Sequence, residues 1–152
     1  MKDIAGIDSS KFNILLADDI PLNIILIEKM LKPFNFKITK AANGLEALQQ
    51  IQAKLNTDEQ IDLAIVDLMM PTMDGYEVIE HLRNGWKTDE FDFPPFNQEE
   101  FPIIILSGMN FNDDIKKGLS LGANQFLTKP VVMTQLYNAV TAELTKKVEA
   151  SR

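Results

Sequence analysis

Short apolar runs alternate with helical patterns five times along this chain of 152 residues. The apolar runs occupy residues 12–18, 36–41, 61–67, 102–107 and 124–129. Apolar residues at helical spacing occupy 21–34, 44–55, 75–84, 113–122 and about 133–149. Because strands that alternate with helices build a sheet through right-handed crossovers, this pattern predicts an α/β fold. Its parallel sheet is expected to carry helices on both faces.

The bulk composition excludes several classes of protein. The length suits one domain with its own core, and 45% apolar residues with 24% charged residues are typical of globular proteins. A net charge of −7 repels phosphate backbones, so we expect no direct nucleic-acid binding. The absence of cysteine excludes disulfides and thiolate metal sites. No apolar run reaches ~18 residues and no signal-peptide core begins the chain, so we expect a cytoplasmic protein without membrane insertion.

The same pattern predicts where the domain begins and ends. We expect an N-terminal extension at 1–11, one domain at 12–149 and a short tail at 150–152. The segment 84–101 is unusually long for a connection between a helix and a strand, so it is interpreted as an insertion in this domain.

Polar side chains stand where each strand ends. Asp18 and Asp19 follow the first strand, Asp67 the third, Ser107 the fourth and Lys129 the fifth. Ligands of parallel sheets collect beyond these carboxyl ends. Three carboxylates held together favour a divalent cation, and carboxylate oxygens suit Mg²⁺. An aspartate beside Mg²⁺ can attack a phosphoryl group and hold it as an acyl phosphate, while a lysine and a serine bind its oxygens.

A short loop leads from the third strand into the third helix. Its sequence, Met-Met-Pro-Thr-Met-Asp-Gly at 69–75, predicts a tight turn that brings backbone groups to the cation. We expect Asp74 to fix this turn through its side chain.

Four motifs, in order, resemble the receiver domain of two-component response regulators. They are ADD at 17–19, DLMMPTMDG at 67–75, ILSG at 105–108 and FLTKP at 126–130. The resemblance covers residues 12 to about 148, and the four motifs together are far more specific than any one alone. It implies a flavodoxin-like, doubly wound sheet of five parallel strands in the order 2-1-3-4-5.

By this resemblance, the acidic residues form a phosphorylation site. Asp67 would be the phosphoacceptor, and Asp18 and Asp19 would hold Mg²⁺ together with Asp67 and the backbone carbonyl of Met69. The phosphodonor would be a histidine kinase or a histidine phosphotransfer protein.

The resemblance also implies a switch. Ser107 and Lys129 would contact the phosphoryl group, and Ser107 and Phe126 would be the switch residues, with Phe126 as the rotating aromatic. The Lys129–Pro130 peptide bond would be cis. A downstream protein target would then recognise the face made by the fourth helix, fifth strand and fifth helix.

Three functions compete at this point. The first is a phosphoacceptor module of a phosphorelay, which is not itself an enzyme although its parent chain could be a hybrid histidine kinase; Asn23 favours that origin. The second is an aspartate-nucleophile phosphatase, which commonly needs a second acid two residues after the nucleophile, where Met69 stands. The third is an interaction domain that is not phosphorylated, but no acid or lysine of the motif is lost.

The insertion is rich in aromatic residues. Five lie in or at the end of it: Trp86, Phe91, Phe93, Phe96 and Phe101. Aromatic side chains at this density rarely remain in water, so we expect the segment to fold back on the domain or to contact a partner. The alternative is a disordered insertion, which Pro94-Pro95 and the acidic residues favour.

The first helix predicts a docking surface. Its expected inward face comprises Leu26, Ile27, Met30 and Leu31. Ile25 then points nearly opposite and Ile24 lies at the flank, so we expect both to be exposed beside the acidic pair. We interpret Ile24 and Ile25 as a contact for a helical phosphodonor. The alternative is that the 84–101 segment or a neighbouring chain covers them.

Overall fold

The computed structural model of the protein describes residues 8–108 and 111–151. Its strands are β1 Asn13–Ala17, β2 Lys37–Ala41, β3 Leu63–Val66, β4 Trp86–Lys87, β5 Asp92–Phe93, β6 Ile103–Ser107 and β7 Gln125–Thr128. Its α-helices are α1 Pro21–Leu31, α2 Gly44–Lys54, α3 Gly75–Asn84, α4 Asn112–Leu121 and α5 Met133–Ala150. Residues 1–7 of the predicted extension and residue 152 of the predicted tail lie outside the described residues.

Five of these strands form one parallel sheet in the order β2-β1-β3-β6-β7. This is the predicted order 2-1-3-4-5 when only the strands of this sheet are counted, so the predicted fold is confirmed. Ala17 at the end of β1 pairs with Val66 at the end of β3. The next residues along the two strands, Asp18 and Asp67, therefore lie side by side at the carboxyl edge.

The central strands are buried along their whole length because helices cover both faces of the sheet. Every residue of β1, β3 and β6 is buried, as expected of parallel strands between two helical layers. One face packs against α2 and α3 around Leu48 and Ile79. The other packs against α1 and α5 around Ile27 and Val140. Within the described residues, no helix is both long enough and apolar enough to cross a membrane.

The insertion folds back on the domain. Strands β4 and β5 pair as a short antiparallel hairpin. The side chains of Phe91, Phe93 and Phe101 are buried in the same apolar cluster as α2 and α3. At the hairpin, the backbone N–H of Asp92 donates to Oε1 of Gln52 at 2.7 Å. The prediction that this segment packs on the domain is confirmed, and the disordered alternative is wrong.

An aromatic stack joins the hairpin to α3. The Trp86 ring lies 3.8 Å from the His81 ring and 4.4 Å from the Phe91 ring, with interplanar angles of 17° in both pairs. His81 is therefore half-buried against the insertion, and it is not part of the acidic cluster at the strand ends.

The buried face of α1 differs from the predicted one. Ile27 and Leu31 are buried and Met30 is partly buried, as predicted, but Leu26 is 47% exposed. Ile24, expected at the surface, packs against the core shared with α5. Ile24, Ile27 and Leu31 thus form the inward stripe at i, i+3 and i+7. The prediction failed because four consecutive apolar residues, 24–27, leave no polar position to mark the outer face.

Ile25 is 46% exposed, as predicted. The insertion does not cover Ile24 or Ile25, because it packs with α2 and α3 on the opposite face of the sheet.

Candidate functional site

Three carboxylates meet at the carboxyl edge of the sheet. Asp18 and Asp67 are buried, Asp19 is exposed, and one oxygen of each lies within 4.8 Å of the others. Among the described residues, this is the one cluster of three or more acidic, histidine or cysteine side chains close enough to share an ion. Its donors are all oxygens, which suits a hard divalent cation such as Mg²⁺.

A single lysine bridges two of these carboxylates. The Nζ of Lys129 lies 2.9 Å from Oδ2 of Asp18 and 3.3 Å from Oδ2 of Asp67. Burial alone would lower the pKa of Lys129, but the hydrogen bonds and charges of the two carboxylates outweigh it and raise this pKa. The ammonium group therefore stays charged at neutral pH.

The Asp67 carboxylate is incompletely compensated. Burial raises its pKa above the usual range, and the negative charge of Asp18 adds to this effect. The charge and hydrogen bond of Lys129 and a backbone hydrogen bond from Met69 oppose the rise without cancelling it. A further positive charge at this position would therefore stabilise the ionised form of Asp67.

Asp18 is held in a fixed orientation from α1. Its Oδ1 accepts from the backbone N–H of Ile20 at 2.9 Å, and its Oδ2 accepts from Nδ2 of Asn23 at 3.2 Å. No role in the site was predicted for Asn23. Its position five residues after Asp18, in the first turn of a helix that begins at Pro21, is the signal that could have indicated this contact.

The loop after β3 makes the predicted turn. Oδ1 of Asp74 accepts from the backbone N–H of Glu77 at 2.9 Å and so caps α3. The backbone N–H of Gly75 donates to the carbonyl oxygen of Leu68 at 3.0 Å. A Cβ atom on Gly75 would collide with the carbonyl oxygen of Asp67, so this close approach requires glycine. The side chain of Asp74 therefore fixes the turn, as predicted.

The remaining motif residues lie on β6 and β7. The backbone N–H of Lys129 donates to the carbonyl oxygen of Ser107 at 2.9 Å, which places buried Ser107 beside Lys129. Phe126 is half-buried, and its ring lies under Gly118 of α4. The Lys129–Pro130 peptide bond is cis, as predicted.

Exposed apolar side chains flank this site. Leu22, Ile25 and Leu26 are 61%, 46% and 47% exposed and lie on one side of α1 at i, i+3 and i+4; we call them the α1 stripe. Beside Leu26, a groove of about 320 Å³ separates α1 from the segment around Pro130 and Val131.

Comparison with known proteins agrees with this geometry. The family model of the response regulator receiver domain matches residues 14–141. The response regulator GtcR of Aneurinibacillus migulanus is 34% identical over 136 residues, which are 90% of this chain and 49% of GtcR. The sensor histidine kinase GacS of Pseudomonas protegens is 32% identical over 127 residues, 84% of this chain and 12% of GacS. The chain thus spans half or less of the length of these two relatives.

Solved structures show the same fold. A CheY-like receiver domain from Methanospirillum hungatei JF-1 superposes with a TM-score of 0.72 at 23% identity, over 91% of this chain and 98% of that one. The family match extends from β1 into α5 and includes every strand end that supplies the acidic cluster, Ser107 and Lys129. The chain therefore belongs to the response regulator receiver domains, the modules of two-component and phosphorelay systems.

Proposed function

We propose that Asp67 accepts a phosphoryl group from a phosphohistidine on a histidine kinase or a histidine phosphotransfer protein. The observation that carries this proposal is the position of Asp67 at a strand end, buried, bridged by Lys129 to Asp18 and incompletely compensated in charge. An oxygen of Asp67 attacks the phosphorus, and the P–N bond breaks as the P–O bond forms. The electron pair of the P–N bond stays on the imidazole nitrogen.

The acidic cluster holds Mg²⁺ in this proposal. Asp18, Asp19 and Asp67 supply carboxylate oxygens and Met69 its backbone carbonyl, and the all-oxygen donor set with its excess negative charge supports this choice. Bound Mg²⁺ supplies positive charge that offsets the carboxylates and the phosphoryl oxygens. Lys129 pairs with one phosphoryl oxygen.

Phosphorylation is transmitted to the α4–β7–α5 face, where a downstream protein binds. The Ser107 hydroxyl donates to a phosphoryl oxygen, and Phe126 then changes its rotamer. Because the Phe126 ring packs against Gly118, its movement changes how α4 packs on the sheet. Phe126 has no hydroxyl, so its outward position gains packing contacts and no hydrogen bond.

The phosphodonor docks on the α1 stripe. The sequence suggested Ile24 and Ile25 for this contact, but Ile24 packs inward, so Leu22 and Leu26 join Ile25 in its place. Such an apolar surface beside the groove along α1 suits a helical donor that must bring its histidine to Asp67. Replacing Leu22 and Leu26 by Lys slows transfer from a protein donor and leaves labelling by a small phosphodonor unchanged; equal slowing with both donors contradicts the docking role.

The test of the phosphoacceptor uses the purified chain, Mg²⁺ and phosphoramidate as the small phosphodonor, followed by intact-mass spectrometry. We expect stable addition of one phosphoryl group to the parent and to Asp113→Asn, an exposed control on α4. Asp67→Asn should abolish addition. Continuous release of phosphate would indicate the phosphatase instead, and no addition to the parent would leave the interaction domain.

Receiver domains are generally not enzymes by themselves, and some relatives carry one within a larger protein, as GacS does. We extend the proposal to a cytoplasmic setting in which a histidine kinase, on the same or another chain, donates to Asp67.

A further inference from the structure

Asn23 faces the acidic cluster from the first turn of α1. Its Nδ2 lies 3.2 Å from Oδ2 of Asp18, and its side chain is half-buried. It lines a small cavity together with Asp18 and Asp67, and it also lines the groove along α1. Its own backbone N–H donates to the carbonyl oxygen of Ile20 at 3.0 Å, which fixes the start of the helix and the direction of this side chain.

Asn23 and Lys129 share one acceptor. Both donate to Oδ2 of Asp18, at 3.2 Å and 2.9 Å, while Lys129 also reaches Asp67 at 3.3 Å. When Lys129 pairs with a phosphoryl oxygen on Asp67, Oδ2 of Asp18 loses its stronger donor. Asn23 still donates its amide N–H to this oxygen. Because an amide carries no net charge, it can orient the carboxylate without repelling a cation.

We propose that Asn23 is a positioning residue for phosphoryl transfer. It keeps the Asp18 carboxylate aligned for the cation while Lys129 passes from Asp18 to the phosphoryl group. This inference rests on the proposed role of Asp67. This role explains why a half-buried amide lies between the acidic cluster and the groove. Neither leucine nor aspartate at this position could donate a hydrogen bond to Asp18, and the charge of a lysine would repel the cation.

Two variants separate orientation from charge. Asn23→Leu removes the donor at similar size, and Asn23→Asp removes the donor but adds a carboxylate. We expect Asn23→Leu to weaken apparent Mg²⁺ affinity about three- to tenfold, the net scale of one ordinary hydrogen bond. Asn23→Asp should strengthen Mg²⁺ affinity, since it adds a ligand charge. At saturating Mg²⁺, both variants should be labelled more slowly by phosphoramidate, because both lack the donor.

Mg²⁺ affinity is measured from the Mg²⁺-dependent shift in melting temperature, and labelling from the initial rate by mass spectrometry. The matched controls are Asn138→Leu and Asn138→Asp at an exposed position of α5, and they should match the parent in both assays. Opposite changes in affinity with parallel losses of rate cannot come from general damage to the fold.

Several outcomes overturn the inference. One is an unchanged Mg²⁺ affinity in both Asn23 variants. Because this measurement does not depend on phosphorylation, it tests Asn23 even if the parent takes no label and the proposed role of Asp67 fails. Another is an equal loss of affinity in both, together with equal loss of stability without Mg²⁺, which indicates a merely structural residue. A rate loss seen only with a protein donor makes Asn23 a docking residue instead.

Discussion

Half-buried Arg83 and buried Asp67 are ions at opposite ends of the sheet, with opposite surroundings. Arg83 lies at the amino ends of β6 and β7, where burial lowers its pKa to about 10, so it remains charged at neutral pH. Its guanidinium donates at 2.8–3.1 Å to five neutral oxygens: the carbonyls of Phe96, Asn97, Phe101 and Gly122, and Oδ1 of Asn124. Three of these carbonyls belong to the insertion or its end.

Asp67 accepts hydrogen bonds, but the positive charge beside it does not balance the negative charge of the carboxylates. Around it, Asp18 and Asp19 add negative charge, and Lys129 is the one cation that an ion pair brings to it among the described residues. The two residues thus illustrate two uses of an ion that is at least partly withdrawn from solvent. Neutral acceptors gathered around all three nitrogens of a guanidinium hold the surrounding segments in place, whereas a group of unbalanced charges favours binding of a further ion.

The largest effect is expected at the Arg83 end of the sheet. Arg83→Met leaves the insertion carbonyls and Oδ1 of Asn124 without their donor, so the free energy of unfolding should fall by about 3 kcal/mol. Chemical denaturation measures this loss, and Lys116→Met, exposed on α4, is the control. The folded variant should still take label on Asp67. A loss below about 1 kcal/mol would mean that water replaces the guanidinium without penalty and that this end is not held by Arg83.

A smaller effect is expected from Mg²⁺ at the unbalanced end. Ten times its dissociation constant should stabilise the fold by about 1.4 kcal/mol through mass action. The melting temperature should rise in the parent and by the same amount in Arg83→Met, since the two ends are separate. Asp19→Ala should reduce the rise. If millimolar Mg²⁺ leaves the parent and Asp19→Ala alike unchanged, the acidic cluster is not a cation site.

The smallest effect concerns pH. Because the pKa of Asp67 is raised in the fold, the native state binds more protons than the unfolded state between the usual carboxyl pKa and the raised one, so this group's contribution to stability falls as pH rises through that window. Without Mg²⁺, Asp67→Asn should therefore be more stable than the parent at neutral pH, by about 1 kcal/mol.

That advantage should shrink as the pH falls into the window and Asp67 in the parent becomes protonated. Denaturation of both proteins from pH 7 to pH 4 measures the difference. A parent more stable than Asp67→Asn at neutral pH would show that Lys129 already balances the carboxylate.

The sequence predicted the fold and the acidic cluster for the same reason. Parallel strands end at one edge, so residues that follow different strands, such as Asp18, Asp67 and Lys129, must converge there. It could not predict the Arg83 contacts, because the five acceptors come from segments 13 to 41 residues away in the chain. It misplaced Leu26 because α1 is apolar on adjacent faces, so the spacing of apolar residues does not show which face points to solvent.

The insertion was predicted to pack, but its hairpin was not. Strands of two residues, such as β4 and β5, are too short to show an alternating pattern. The contact between Gln52 and the backbone of Asp92 joins two segments 40 residues apart and has no local signal either.

The stack of His81, Trp86 and Phe91 has an optical consequence. Trp86 is the single tryptophan of the chain, so the tryptophan emission of the protein comes from the insertion end of the sheet and not from the phosphoacceptor end. Its fluorescence therefore reports on changes at Asp67 only if they are transmitted to the insertion. A change in Trp86 emission on addition of Mg²⁺ or phosphorylation would show that the two ends of the sheet are coupled. Unchanged emission, together with a higher melting temperature, would show that binding at one end leaves the surroundings of Trp86 unaltered.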